Sequence, residues 1–197
     1  MPTTADVLRP LLTAAVSTLS AFALLSAPAD ASRGVYQCNG SLEIPQSAPE
    51  LATASNAILC LVNIERAAHG VRPLQRDAAL ARAARGHALE MAQRKYFSHT
   101  GTNGDGLSDR LRAAGYGDPG DGWRAGEDLG WGTGQRSSPN ALVDAWLASD
   151  RHRRVLLSSI YEEIGVGVAA GAPKPTDSDL PGATYTMDLG TIRPAGS

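Results

Sequence analysis

The stretch Tyr96-Phe97-Ser98-His99 decides the fold of this chain when it is read together with two later stretches. One is Gly126-Glu127-Asp128-Leu129, and the other runs over residues 146–153 as Trp-Leu-Ala-Ser-Asp-Arg-His-Arg. Each stretch alone is weak evidence for any fold. In this order and spacing, they place two histidines and one glutamate where a single domain can bring them together.

The composition of the chain is that of one globular domain. It has 197 residues, a formal net charge of −2 and 43% hydrophobic residues, which is the length and apolar content of one domain with a buried core. A protein that binds nucleic acid would carry a clustered basic face. The charge balance therefore excludes nucleic acid as an expected partner.

Residues 1–31 have the pattern of a secretory signal peptide. Arg9 precedes an almost uncharged run over residues 11–25, and Ala29-Asp30-Ala31 is a small-x-small cleavage site, so we expect a cut after Ala31. The apolar run is shorter than the ~20 residues of a stable membrane-spanning helix. The alternative is an uncleaved N-terminal anchor, and both interpretations place the folded domain outside the cytosol, with secretion as the prediction.

The two cysteines, Cys38 and Cys60, both follow the predicted signal peptide. In an oxidising compartment an even number of cysteines indicates a disulfide, which would tie the N-terminal lead-in to the first helix. The alternatives are two buried thiols and, less favoured, a catalytic thiol.

The remaining pattern predicts an extended lead-in over residues 32–52 and a folded domain over residues 53–193. Helices alternate with glycine-rich turns in the first part, and β-rich segments close the chain, which is typical of an α+β protein. Helices are predicted over 54–68, 77–94, 107–114, 139–147 and 150–157, and strands within 123–131, 164–169 and 183–192.

The chain resembles the CAP superfamily, named for cysteine-rich secretory proteins, antigen 5 and plant pathogenesis-related proteins, and most of all its short bacterial secreted branch. The matching pieces extend over about residues 56–192. They are Asn63-x-x-Arg66 with Gly70 and Pro73-Leu74, His87-Ala88-x-x-Met91, Phe97-Ser98-His99, Gly126-Glu127, Trp146-x-x-Ser149-x-x-His152-Arg153, Ile164-Gly165-Val166-Gly167, and Tyr185-Thr186-x-Asp188-x-Gly190.

The resemblance implies a three-layer α-β-α sandwich with a small antiparallel sheet. It also implies a central cleft with two histidines and two acidic residues, of which His99, His152 and Glu127 are the counterparts here. The second acid of the animal proteins corresponds to Ser149. The resemblance therefore leaves a triad in place of a tetrad.

Four further positions depart from the family pattern. Asp128 stands where the family usually has Asn, and Val155 replaces the Asn that follows the His-Arg pair. Tyr185 and Met187 replace the Trp and Gln of the last strand. We expect Asp128 to point away from Glu127, because consecutive residues of a strand face opposite ways.

Two imidazoles and a carboxylate are the ligand set of hydrolytic zinc sites, in which water takes the fourth position. The sequence thus indicates His99, Glu127 and His152 as a candidate site for Zn²⁺ or another divalent metal. The same three side chains can equally form a hydrogen-bonded network that joins loops to the sheet. Proton transfer in a hydrolase needs a further catalytic group, and the missing second acid was its natural candidate.

Two functions remain on the sequence alone. The preferred one is a secreted, monomeric binding or interaction module, for which the resemblance implies a lipid or cell-envelope ligand and no stable membrane span after signal cleavage. The alternative is a metal-dependent extracellular hydrolase that acts on peptide or cell-wall material. His87 lies on the apolar stripe of the second helix and is expected to be a core histidine.

Overall fold

A computed structural model describes residues 37–176 and 178–196 of the chain. The predicted signal peptide, 1–31, lies outside these residues. The helices are α1 Ala48–Ala68, α2 Ala78–Arg94, α3 Leu107–Ala113, α4 Pro139–Ala148 and α5 Asp150–Leu156. The strands are β1 Gln75–Arg76, β2 Gly122–Thr133, β3 Glu163–Ala170 and β4 Gly182–Arg193, and a 3-10 turn spans Gly134–Ser137.

The four strands form one sheet in the order β1-β3-β4-β2. The central strand β4 pairs antiparallel with β3 and with β2, and Glu127 lies directly opposite Asp188. The predicted α+β class and the antiparallel hairpin are confirmed. The short β1, which the sequence did not predict, adds two residues in parallel to β3.

Helices cover both faces of the sheet, which gives the three layers. On one face α2 approaches so closely that Gly165 and Gly167 leave no room for a Cβ against the backbone of Leu80 and Ala84. On the other face α1 and α4 pack on the larger apolar core, where Leu142 and Trp146 contact Gly130. Since side chains alternate along a strand, Glu127 shares the α2 face, and Asp128 shares the face of α1 and α4.

The predicted extended lead-in is wrong at its end, because α1 begins at Ala48 and not near residue 54. Ser47 is the N-cap, and the Glu50 carboxylate accepts hydrogen bonds from the main-chain N–H groups of Ser47 (2.8 Å) and Gln46 (2.9 Å). Together with Pro49 in the first turn, this is a strong start signal for a helix. Two prolines in the segment had suggested extended chain.

The predicted disulfide between Cys38 and Cys60 is present. Cys38 belongs to the segment before α1, and Cys60 lies within that helix, so the bond ties the two together. The Asn63 side chain of the same helix both donates to the carbonyl and accepts from the N–H of Leu74. Both contacts fix the C-terminal half of α1, one to the segment before the helix and one to the segment after it.

None of the helices in residues 37–176 and 178–196 combines the length and apolar content that a membrane crossing requires.

Candidate functional site

Glu127 lies at the centre of the predicted cleft, near the middle of β2. Its side chain is only 3% exposed, and each carboxylate oxygen has its own cationic or N–H partner. His99 Nδ1 lies 2.7 Å from Oε1, and Arg110 Nη2 lies 2.6 Å from Oε2. Burial of a carboxylate is costly unless it is paired and hydrogen-bonded, and here both conditions hold.

Arg110 of α3 holds this part of the cleft together. Its Nη1 donates to the carbonyl oxygens of His99 (3.0 Å) and Asp105 (3.1 Å). The same guanidinium thus fixes the loop that carries His99 and the carboxylate that orients its ring. A planar guanidinium suits this role because its donors diverge at fixed angles.

The contacts of Glu127 decide its charge and the tautomer of His99. Burial alone would raise the pKa of Glu127, but the hydrogen bond from His99 and the charge of Arg110 outweigh it and lower the pKa. An ionised carboxylate only accepts hydrogen bonds, so His99 donates from Nδ1. Its Nε2 is then the nitrogen left for a ligand, on a side chain that is 44% exposed.

His152, on the short helix α5, approaches the same cleft without joining the network. Its pKa is lowered by partial burial, then by the charge of Arg151, then by that of His99. In the described part of the chain no hydrogen bond links His152 to Glu127.

Two further carboxyl groups flank Glu127. Asp188 is fully buried and faces it across the β2–β4 pair, on the same side of the sheet. Burial and the nearby Glu127 raise the pKa of Asp188 well above its ordinary value. Asp128 lies on the opposite face of β2, where burial raises its pKa to about 8.

The donor set does not fit the three-ligand metal site that the sequence suggested. Within residues 37–176 and 178–196, no group of three His, Cys, Asp or Glu side chains is arranged to hold a metal ion. Both Glu127 oxygens are already bound to cationic or N–H partners, which leaves the two histidines as the remaining donors. Zinc sites of the hydrolytic type use three protein ligands.

A second candidate site is a groove of about 550 Å³ between α1 and α2, along β3. This groove, called the α1–α2 groove below, has an apolar surface formed by Leu51, Ala52, Ala81, Val166 and Val168. Three arginines also line it: Arg76, Arg82 and Arg85. An apolar floor with a few polar groups at its margin is the usual composition of a small-molecule site.

The sequence pattern indicated His99, Glu127 and His152, and the structure brings the first two into contact. It missed Arg110, because nothing in the pattern of a short exposed helix reveals a contact with a strand. It also missed the pairing of Asp188 with Glu127, although the alternation in Tyr185-Thr186-x-Asp188 was a usable signal for which residues share a face. The α1–α2 groove had no sequence signal.

His87 is a buried histidine in the core of α2, as expected. Its Nε2 lies 2.9 Å from the carbonyl oxygen of Ser98, and burial lowers its pKa. The contact anchors the segment that precedes His99. His87 therefore helps to hold in place the loop that carries His99.

The chain is similar in sequence to one protein family and to two bacterial proteins. The sequence profile of the cysteine-rich secretory protein family, CAP, matches residues 59–178. The chain is 37% identical over 116 residues to the uncharacterized membrane protein YlbC of Bacillus subtilis, which covers 59% of this chain and 32% of YlbC. It is 31% identical over 122 residues to the uncharacterized protein YkwD of the same organism, covering 61% of this chain and 45% of YkwD.

A solved structure shares the fold. It is an extracellular protein from Bacillus anthracis that contains an SCP domain, with a TM-score of 0.56 and 28% identity over 76% of this chain and 45% of that one. The chain spans less than half the length of these curated relatives.

Proposed function

The chain belongs to the cysteine-rich secretory protein (CAP) family, and we propose that it acts outside the cell as a module that binds an anionic amphiphile, such as a fatty acid. The observation that carries this proposal is the α1–α2 groove, with its apolar floor and arginine margin. The extracellular location is supported by the predicted signal peptide, by the disulfide, and by the Bacillus anthracis protein that shares the fold.

The groove has the dimensions and chemistry for this ligand. Its 550 Å³ lies within the roughly 300–1,000 Å³ of small-molecule pockets. Small side chains such as Ala52 and Ala81 keep it open, and Val166 and Val168 supply its floor. An acyl chain buried there would be stabilised by about 0.8 kcal/mol for each CH₂ group removed from water.

The arginines favour a negatively charged head group. Arg76 is held by a 2.7 Å hydrogen bond from its Nη2 to Asn56 Oδ1, and Arg82 donates from Nη2 to the carbonyl of Ala114. Arg85 is exposed and has neither an ion pair nor a hydrogen bond to another described residue. Its charge is therefore available to a carboxylate at the mouth of the groove.

The hydrolase alternative has no comparable support. A hydrolase would need Glu127 as a metal ligand or as a base, and its carboxylate is bound by His99 and Arg110. The position of the second family acid is Ser149. The His99–Glu127–Arg110 network fits the role of a brace that joins the His99 loop and α3 to the sheet.

Filling the groove is expected to weaken lipid binding. Ala52→Phe would place a ring over the apolar floor, and we expect it to weaken the binding of the fluorescent fatty acid cis-parinaric acid by about tenfold or more, equivalent to at least about 1.4 kcal/mol. The measurement is a fluorescence titration at neutral pH. The matched control is Ala67→Phe, an exposed position of the same helix.

Unaltered affinity in Ala52→Phe, or equal loss in both variants, would contradict the assignment of the ligand to this groove. Arg85→Glu tests the head group separately. It is expected to weaken the binding of the fatty acid severalfold and to leave the binding of the corresponding uncharged alcohol unchanged.

A further inference from the structure

The outer edge of β2 carries main-chain groups that point away from the sheet. Gly190 lies opposite Ala125, and its carbonyl accepts from the N–H of Glu162 on the β3 side (2.9 Å). Directly opposite residues of an antiparallel pair either exchange both hydrogen bonds or make none. Ala125 therefore turns its N–H and C=O outward, and by alternation so do Trp123, Glu127 and Leu129.

The opposite edge of the sheet is partly covered, whereas this segment is open. The opposite side of the sheet ends in β1, which has two residues, and the Ser55 hydroxyl donates to the carbonyl of Val166 beyond it (3.0 Å). On β2 itself, Trp146 Nε1 donates to the carbonyl of Leu129 (2.9 Å). Short edge strands and covered edges are how proteins avoid unwanted strand pairing.

The open segment runs from Trp123 to Glu127. No hydrogen bond from residues 37–176 or 178–196 reaches the outward groups of Trp123, Ala125 or Glu127. Glu127 is partly exposed as a residue although its side chain is 3% exposed, so its exposed surface is main chain. An open row of donors and acceptors of this kind is a template for an added strand.

We infer that the edge of β2 from Trp123 to Glu127 binds an extended peptide segment of a partner protein, which joins the sheet as a fifth strand beside the His99–Glu127 cleft. This site is separate from the α1–α2 groove and goes beyond the proposed function. Main-chain hydrogen bonds supply the affinity of such a complex, and side chains that face the neighbouring surface supply its specificity.

Charge favours an acidic peptide. Arg124 and Arg193 lie on one face of adjacent strands, since Gly122 pairs with Arg193, and both are exposed. Neither forms an ion pair with another residue in the part of the chain described. A glutamate or aspartate of the added strand opposite Arg124 would supply the missing partner.

The same charge disfavours a second copy of this chain as the occupant. Antiparallel pairing of two β2 edges around Ala125 would place the two Arg124 side chains as diagonal neighbours on one face. Like charges at such positions destabilise strand pairing. The partner is therefore a different protein.

The test uses heptapeptides selected against the purified protein from a random display library. The tightest of them is measured by fluorescence anisotropy against two variants at one position. Ala125→Pro removes an outward N–H without removing a hydrogen bond to β4, and we expect it to weaken binding by about tenfold or more. Ala125→Ser keeps the N–H and is expected to bind within about twofold of the original chain.

Thermal unfolding of both variants checks that the sheet is intact. If Ala125→Pro does not fold, N-methylation of alternate peptide amides asks the same question of the unaltered protein. One of the two N-methylation patterns must then abolish binding. Arg124→Glu is expected to weaken the binding of acidic peptides and to leave that of neutral peptides unchanged.

Three outcomes would overturn the inference. These are the absence of any selected peptide above background, selected peptides that bind Ala125→Pro as tightly as Ala125→Ser, and self-association of the chain in sedimentation experiments that Ala125→Pro abolishes. The last result would make a second copy the occupant of the edge.

Discussion

Replacement of Arg66 by alanine is expected to lower the free energy of unfolding by about 3–5 kcal/mol, the range for removing one partner of a buried charged network. Arg66 is 1% exposed on α1. Its Nε donates to the carbonyl of Arg72 (2.8 Å), and its Nη1 donates to those of Leu156 (2.8 Å) and Ser158 (2.9 Å). Nη2 reaches the carbonyl of Tyr161 (3.2 Å).

The size of the effect follows from what the guanidinium leaves behind. Four carbonyl oxygens from two segments would lose a charged donor. One of them belongs to the last residue of α5, and two lie in the turn that follows it. Each buried acceptor left without a partner costs about 1–3 kcal/mol. Because α5 carries His152, loss of these hydrogen bonds should also disorder one side of the cleft.

Arg72→Ala is the matched control. Arg72 forms an exposed ion pair with Glu162 (3.4 Å), and such pairs contribute about 0–1 kcal/mol. Urea unfolding followed by circular dichroism measures both variants. A loss of unfolding free energy in Arg66→Ala no larger than that in Arg72→Ala would contradict the role given to the hydrogen bonds of Arg66.

The second large effect is a pH dependence that originates in buried carboxyl groups. Burial raises the pKa of Asp128 to about 8 and that of Asp188 well above its ordinary value, whereas both ionise near pH 4 in the unfolded chain. The folded state therefore retains protons that the unfolded state releases. For each group, the free energy of unfolding therefore falls as the pH rises above about 4, by at most about 1.4 kcal/mol per pH unit.

Asparagine at either position removes this pH dependence because its amide does not ionise between pH 4 and 8. We expect Asp128→Asn to become more stable than the original chain as the pH rises from 5 to 8. The difference in the free energy of unfolding should reach about 2–4 kcal/mol, which is less than the full slope gives because local movement partly solvates the ionised Asp128. For Asp128 the decline should end near pH 8. For Asp188 the decline has the same direction, because burial also raises its pKa above that of the unfolded chain.

Unfolding titrations at pH 4, 6 and 8 measure these differences. Asp144→Asn is the control, because it makes the same substitution on the exposed side of α4. A stability difference for Asp128→Asn that stays constant from pH 4 to 8 would mean that Asp128 is ionised in the folded protein.

The layers and the cleft residues could be predicted because their signals are local. The apolar stripe of α2 and the alternation of β2 each depend on a few neighbouring residues, and alternation correctly separated Glu127 from Asp128. The start of α1 was predicted too late because prolines outweighed the cap formed by Ser47 and Glu50. That capping pair was visible in the sequence.

The features that the sequence did not reveal depend on contacts between distant segments. Arg110 pairs with Glu127 only because α3 folds against β2. The α1–α2 groove exists because small residues on two helices meet beside β3. The disagreement over metal binding has the same origin, since the sequence shows three candidate ligands but not the contact of Arg110 with one of them, Glu127.

Native mass spectrometry of the protein purified from a secreting host tests the central claim most directly. A groove that binds an anionic amphiphile predicts a fraction of molecules with one added acyl-chain mass, retained in Ala67→Phe and absent in Ala52→Phe. A protein that carries no such adduct, but binds one zinc ion per chain and loses it in His99→Ala and His152→Ala, would contradict the account and restore the metal site.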